Sequence, residues 1–238
     1  MPFFPVSFYQ LAFALGLNKG HSRNDTLFKL MKSLPYFALI LIASLLVGCS
    51  SSTEEGSNTI SLFNGENLDG WEIQNGGQFS VSDGVLKINK GTGWLRSSDT
   101  FGDFKLTMEY RFMEKDANSG IFIRTGATSN DDENGWPDNG YQVQCFDTLE
   151  GEYPLGFIIP YGAPEFKSES SLDALKSVYK PAKEWHTYEI TCQGENVEVK
   201  LNGTVITTAT EFKNLTGHIG IQGEHGLLEF RKIELETL

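Results

Sequence analysis

Cysteine is sparse in this chain: three residues in 238, one of them, Cys49, closing an apolar N-terminal segment. The two that remain cannot build a disulfide scaffold, and no His/Cys spacing fits zinc. Positive charge is also thin, with 19 Lys and Arg against 31 Asp and Glu, net −12. Lys19, Arg23, Lys29 and Lys32 fall in the first 49 residues against Asp25 alone, which leaves 15 basic and 30 acidic residues, −15, in the remainder. A nucleic-acid backbone needs a basic face, so that partner is excluded, whereas neutral ligands and plain solubility remain compatible. The apolar run Leu34–Val47 falls short of the ~20 residues of a membrane-spanning helix. There is no G-x-S-x-G motif, no phosphate-cradling glycine loop, no internal repeat and no long helical periodicity.

The N-terminus does hold a targeting signal. Met31-Lys32 opens it with positive charge, Leu34–Val47 is its apolar stretch, and Leu46-Val47-Gly48-Cys49 ends it. That tetrapeptide is similar to the bacterial lipobox, in which the cysteine is lipidated and becomes the new N-terminus. The expectation is a signal over residues 31–49, lipidation at Cys49 and a flexible polar tether over residues 50–58. The protein would then sit in a bacterial cell envelope, touching membrane through its lipid anchor only. Residues 1–30 fit no signal, and translation is expected to start at Met31. An oxidising envelope permits a bond between Cys145 and Cys192. Both fall on apolar sides of expected strands, however, so two buried thiols are expected.

Residues 59–238 read as one all-β domain. Phe104–Phe112 alternates without a break, as do His186–Cys192 and Val197–Leu201. Asn202-Gly203 supplies a type I′ hairpin turn, and Ser82-Asp83-Gly84 and Gly194-Glu195-Asn196 are further turns. Many short strands with regular turns predict a sandwich or jelly roll, not a parallel sheet with helices. Ser170–Val178 is the best helix candidate, short and within a connection. Ser129–Asn139 is a polar loop long enough to cover a groove.

That loop joins two strands of unusual make-up, Asn118–Arg124 and Gly140–Asp147. Ile121 and Ile123 alternate with Phe122 and Arg124; Tyr141, Val143 and Cys145 alternate with Gln142, Gln144 and Phe146. As neighbours, the two strands would present Phe122, Arg124, Gln142, Gln144 and Phe146 as one patch. Rings for stacking, with donors and acceptors for hydroxyls, suit a sugar.

The same segments stand in an ordered set. It runs from Leu62-Phe63-Asn64-Gly65 through Asp69-Gly70-Trp71, Asp103-Phe104, Ser119-Gly120-Ile121-Phe122-Ile123-Arg124, Gly140-Tyr141-Gln142-Val143-Gln144-Cys145-Phe146-Asp147, Glu184-Trp185 and Leu201-Asn202-Gly203. It closes with Gly217-His218-Ile219-Gly220-Ile221-Gln222 and Glu229-Phe230-Arg231. In order and spacing, over about residues 59–238, this resembles the domain-of-unknown-function 1080 family, also called the 3-keto-disaccharide hydrolase or 3-keto-glucoside lyase/hydratase domain. Each motif is weak alone; the set is specific. The resemblance implies a concanavalin A-like jelly-roll β-sandwich. It also implies a glycoside hydrolase- or lyase-like enzyme that cleaves 3-keto glycosides by elimination and hydration. Its partner would be an oligosaccharide or glycoside. A non-catalytic carbohydrate-binding module is the alternative.

Elimination from a 3-keto sugar needs a base for the acidified C2–H, an acid for the leaving group and a group to hold the enolate oxygen. Arg124 is the candidate for the enolate. Asp147 and His225 are the candidate base and acid, although Asp147 serves equally as a turn residue. Gln142 departs from the family, whose members commonly carry Glu there, and an amide exchanges no proton at neutral pH. Phe122, Gln142, Gln144, Phe146, Tyr161, Glu184 and Gln222 are expected to contact substrate. His186, a second departure, shares a strand face with Tyr188, Ile190 and Cys192 and reads as a satisfied, partly buried histidine. Asp131-Asp132-Glu133-Asn134 with Asp138 could offer oxygens to calcium but lacks EF-hand spacing, so a solvated loop is the default. No other cofactor is implied.

Overall fold

The computed structural model describes residues 59–130 and 133–238. The signal, Cys49 and the tether lie outside the described residues, as do Asp131 and Asp132 of the calcium candidate. Two antiparallel sheets pack as a jelly-roll sandwich. The nine-stranded sheet runs β10 (Lys167–Ser170), β13 (Thr204–Thr210), β12 (Asn196–Leu201), β11 (His186–Gln193), β6 (Phe104–Phe112), β15 (Leu228–Thr237), β4 (Val85–Lys90) and β3 (Gln78–Ser82), with β1 (Thr59–Ser61) also on β15. The six-stranded sheet runs β2 (Trp71–Asn75), β5 (Gly93–Phe101), β14 (Gly217–Gly223), β7 (Asn118–Thr125), β8 (Gly140–Phe146) and β9 (Ile158–Tyr161).

Period-two alternation decides which side of each strand meets the core. On β6, Phe104, Leu106, Met108, Tyr110 and Phe112 are fully buried, and on β11 so are Tyr188, Ile190 and Cys192. Opposite them, Ile121 and Ile123 of β7 and Tyr141, Val143 and Cys145 of β8 join the same core. Asn202 and Gly203, the expected type I′ turn, have φ of 50° and 84°, and the Asp83-Gly84 turn shows the same pair of positive φ, 56° and 75°. The expected helix forms as α1 (Leu172–Val178), capped by the Ser171 side chain, which accepts from the Ala174 N–H at 3.2 Å.

The outer faces differ. That of the nine-stranded sheet is charged and solvated, with ion pairs such as Lys105–Glu236, Arg231–Glu109 and Arg111–Glu229. That of the six-stranded sheet is buried on its central strands and nearly uncharged there. Trp94 of β5 and Phe122 of β7 are fully buried, yet neither belongs to the core between the sheets.

Candidate functional site

β14, β7 and β8 pair side by side, with β14 and β7 in register from Gly220 onward, so their outward residues there form rows. One row runs Arg96, Gly220, Phe122, Gln142 and Ile159 across β5, β14, β7, β8 and β9. The next, one pleat away, holds Trp94 beside Gln222 and Gly120 beside Gln144. The two glycines make this face possible. A Cβ at Gly120 would overlap the Gln142 side chain, and a Cβ at Gly220 would come within 2.6 Å of the Trp94 ring and 3.2 Å of Phe122. Large side chains therefore lie flat across a strand that offers no side chain of its own.

Aromatic rings and parts of the β7–β8 connection, at Ala127, Ser129, Gly135 and Trp136, cover the face. Phe122 meets Trp94 and Tyr161 edge to face, with ring centroids 5.7 and 5.6 Å away, and Trp136 meets Tyr161 in the same way at 5.7 Å. The Trp94 indole donates to Ser129 Oγ at 3.0 Å, Arg96 to the Ala127 carbonyl and Asn75 to that of Gly135.

Beneath this cover polar atoms go unpaired. Arg96 Nε, Asn118 Oδ1, Trp136 Nε1, Gln142 Nε2, Gln144 Oε1 and Gln222 Oε1 are buried without a protein hydrogen-bond partner. A buried polar atom left so costs ~1–3 kcal/mol, and folded proteins rarely gather several in one place without a ligand or ordered water to meet them. Donors and acceptors are both present, and a sugar hydroxyl is both.

A third row, another pleat along, brings a carboxylate. Asn118 pairs with Phe146, and beyond β14 the side chain of Glu224 reaches the same place: Asn118 Nδ2 donates to Glu224 Oε2 at 2.5 Å. The Glu224 side chain is 24% exposed, with His225 Nδ1 at 3.7 Å from its other oxygen. Burial pushes its carboxyl up from the ordinary value of a glutamate, and His225 pulls it back in part. His225 is itself exposed, edge-on to Phe146 at 6.2 Å, with Nε2 against the Asp116 carbonyl.

A profile of the 3-keto-alpha-glucoside-1,2-lyase-like domain matches residues 58–236. The chain belongs to that family. Membership marks the domain as carbohydrate-active. Two solved proteins of Parabacteroides distasonis ATCC 8503, each provisionally assigned as a glycosyl hydrolase, share its fold. One is 23% identical with a TM-score of 0.58, over 76% of this chain and 99% of that one. The other is 18% identical with a TM-score of 0.56, over 80% and 98%. No curated protein matches the sequence.

In this member of the 3-keto-alpha-glucoside-1,2-lyase-like family, the expected patch forms without its arginine. Phe122, Gln142, Gln144 and Phe146 share the outer face, with Gln222 and Tyr161 beside them. Arg124 does not. A bulge opposite the His218–Gly220 step of β14 and a φ of 48° break the alternation at Arg124. Its side chain, fully buried, donates instead to the carbonyls of Gly102 (3.0 Å) and Gly194 (2.6 Å) and to Asp103 Oδ1 (2.9 Å). Six residues of strand, roughly 20 Å, separate it from Asn118. It ties turns together and cannot hold an enolate beside His225.

Asp147 is not on the outer face either. By alternation it follows Cys145 on the core side, 5% exposed. Oδ1 accepts from the Tyr179 hydroxyl at 2.6 Å and Oδ2 from the Asp116 N–H at 3.3 Å, so both oxygens are engaged. Glu184 is exposed just ahead of β11, in the opposite sheet. His186 is satisfied as expected, with Nε2 against the Lys180 carbonyl at 2.9 Å, and is buried more completely than the sequence suggests. Cys145 and Cys192 are free and buried. Among the described residues no His, Cys, Asp and Glu side chains gather as a metal site, and Asp138 accepts from Thr128 Oγ1. Among them, too, no helix is long and apolar enough to cross a membrane. Sequence reasoning missed Trp94, Trp136, Asn118 and Glu224. Parity was the available signal for Glu224, which continues His218, Gly220 and Gln222 two residues on.

Proposed function

We propose that the outer face of the six-stranded sheet binds a 3-keto glycoside and that the protein cleaves its glycosidic bond by elimination, with water adding afterwards to give net hydrolysis. The observation that carries this reading is the set of buried, unpaired amides beside the Phe122, Trp94 and Tyr161 rings, in a chain of this family. Gln144 and Gln222 offer acceptors to sugar hydroxyls. Gln142 Nε2 and Trp136 Nε1 are free donors for the C3 oxygen, which gains charge as C2–H is lost. The test is incubation of the protein with matched glycosides and their 3-keto derivatives. Release of the aglycone from the 3-keto forms alone is expected. Binding of ordinary sugars without turnover of any 3-keto form would make the domain a binding module, the reading that the proton-inert Gln142 favours.

We also propose that Cys49 carries the lipid anchor, as Leu46-Val47-Gly48 before it suggests. Cys49→Ala should release the protein from membranes or block its processing; unchanged fractionation and mature mass would refute this.

A further inference from the structure

We propose that Glu224 is the proton-transfer residue of this face, with Asn118 holding its carboxylate and His225 linking it to solvent. The inference rests on the reading of the face as a 3-keto glycoside site. Placement carries it. The Gln142 amide lies over Gly120, and the Glu224 carboxylate is hydrogen-bonded at Asn118. Those positions share the outward side of β7 and lie roughly 7 Å apart, two residues along a strand. One sugar ring held by the amides would therefore present its carbon skeleton to Glu224. Gln222, two residues before Glu224 on the same side, and Gln144, across Gly120, are each more than nine-tenths buried on this face, each with an oxygen that no protein donor meets. Arg124 and Asp147 are spoken for by the scaffold. Gln142 binds and exchanges no proton.

The proton count closes with this one carboxyl. Glu224 as carboxylate takes the C2 proton, and the C–H electron pair passes into the enolate at C3. As the C3 carbonyl reforms, that pair makes the C1–C2 double bond and the C1–O bond breaks. The departing oxygen takes the proton back from Glu224. One glycoside gives one unsaturated 3-keto sugar and one alcohol, with no oxidant or reductant. Hydration reverses the proton's direction, with water supplying hydroxyl to C1 and hydrogen to C2. A carboxyl raised by burial is suited to both taking and giving a proton. The titratable groups around it are His225 on its own segment and Glu114 and Asp116 from the β6–β7 connection. Glu114 accepts from the Leu227 N–H and Asp116 offers its carbonyl to His225.

The test uses Glu224→Gln, which keeps the size and the contact with Asn118. Turnover of a 3-keto glycoside should fall ~10²–10⁴-fold in kcat with KM changed only a few-fold. Exchange of the C2 hydrogen for solvent deuterium should be lost with it. In the wild type the acid limb of the pH profile should lie higher than for an unperturbed glutamate. His225→Ala, which removes the group that lowers Glu224, should move that limb to still higher pH. Asn118→Ala should lower kcat and shift the limb, whereas a purely structural Asn118 would alter stability alone. Cleavage by the wild type that survives in Glu224→Gln would overturn the inference and leave the proposed function standing. Deuterium exchange without cleavage, lost in Glu224→Gln, would uphold Glu224 and overturn the cleavage reading. A wild type that binds the sugar but neither exchanges nor cleaves would overturn both.

Discussion

The Gln142 side chain lies across Gly120 of the neighbouring strand, so closely that a Cβ there would overlap its amide. Gly120 lies within β7 without a positive φ, so alanine suits the backbone and its nearest clashes are with the Gln142 side chain. Gly120→Ala should therefore fold and lose sugar affinity by roughly 5–100-fold, the equivalent of one to two buried hydrogen bonds. Calorimetric titration with a 3-keto glycoside, alongside a thermal melt, checks both halves. Unchanged affinity would remove Gln142 from the binding face.

Arg124 should report on stability. Replacing it with Met strands Asp103 and the Gly102 and Gly194 carbonyls in a site where the side chain had no exposure. Asp103, 39% exposed, is resolvated by water, so the loss comes from the part-buried carbonyls left without a donor, about 1–3 kcal/mol in denaturant unfolding. A fully stable Arg124→Met protein with abolished turnover would restore the arginine to the reaction.

Asp147→Asn tests the same distinction. Burial and the adjacent carboxylate push the Tyr179 phenol up, consistent with its hydroxyl donating to Asp147. The variant should lose about 1–3 kcal/mol of stability as that charge-assisted bond weakens. Turnover per folded molecule should stay within a few-fold of wild type; a thousand-fold loss would show that the carboxylate reaches substrate.

His186 gives the fold a pH dependence of known sign. Burial holds its imidazole below the ordinary 6.5, and the Lys180 carbonyl and Asp147 oppose this only in part. With the folded value depressed, its contribution to stability is present above pH 6.5 and is lost as pH falls through that lower value. Urea unfolding between pH 8 and pH 5 should therefore show a steeper loss for the wild type than for His186→Phe. Parallel curves would exclude His186 as the source.

The two domain thiols should be inert in the folded state. Burial pushes Cys145 well up and Cys192 to about 12. In a Cys49→Ala background, a thiol reagent at pH 8 should label neither until denaturant is added. Rapid labelling of either in the native protein would contradict their burial.

Strand parity, written in the sequence, determined most of this domain. Uninterrupted alternation set the core sides of β6, β11 and β12, Asn202-Gly203 and Asp83-Gly84 set two hairpins, and Phe122, Gln142, Gln144 and Phe146 fell on one face because side chains alternate wherever pairing is regular. Tertiary structure decided the rest. Arg124 left the face because a bulge and a left-handed backbone angle override parity at one residue, and neither has a signal in residue type. Asp147 obeyed parity, but its role depends on Tyr179, 32 residues away and in another layer. Glu224 gained its raised carboxyl only when β14 came to rest beside β7, next to Asn118 across 106 residues of chain. Burial and long-range hydrogen bonds set the chemistry of an ionisable group, and both come from packing that no local pattern encodes.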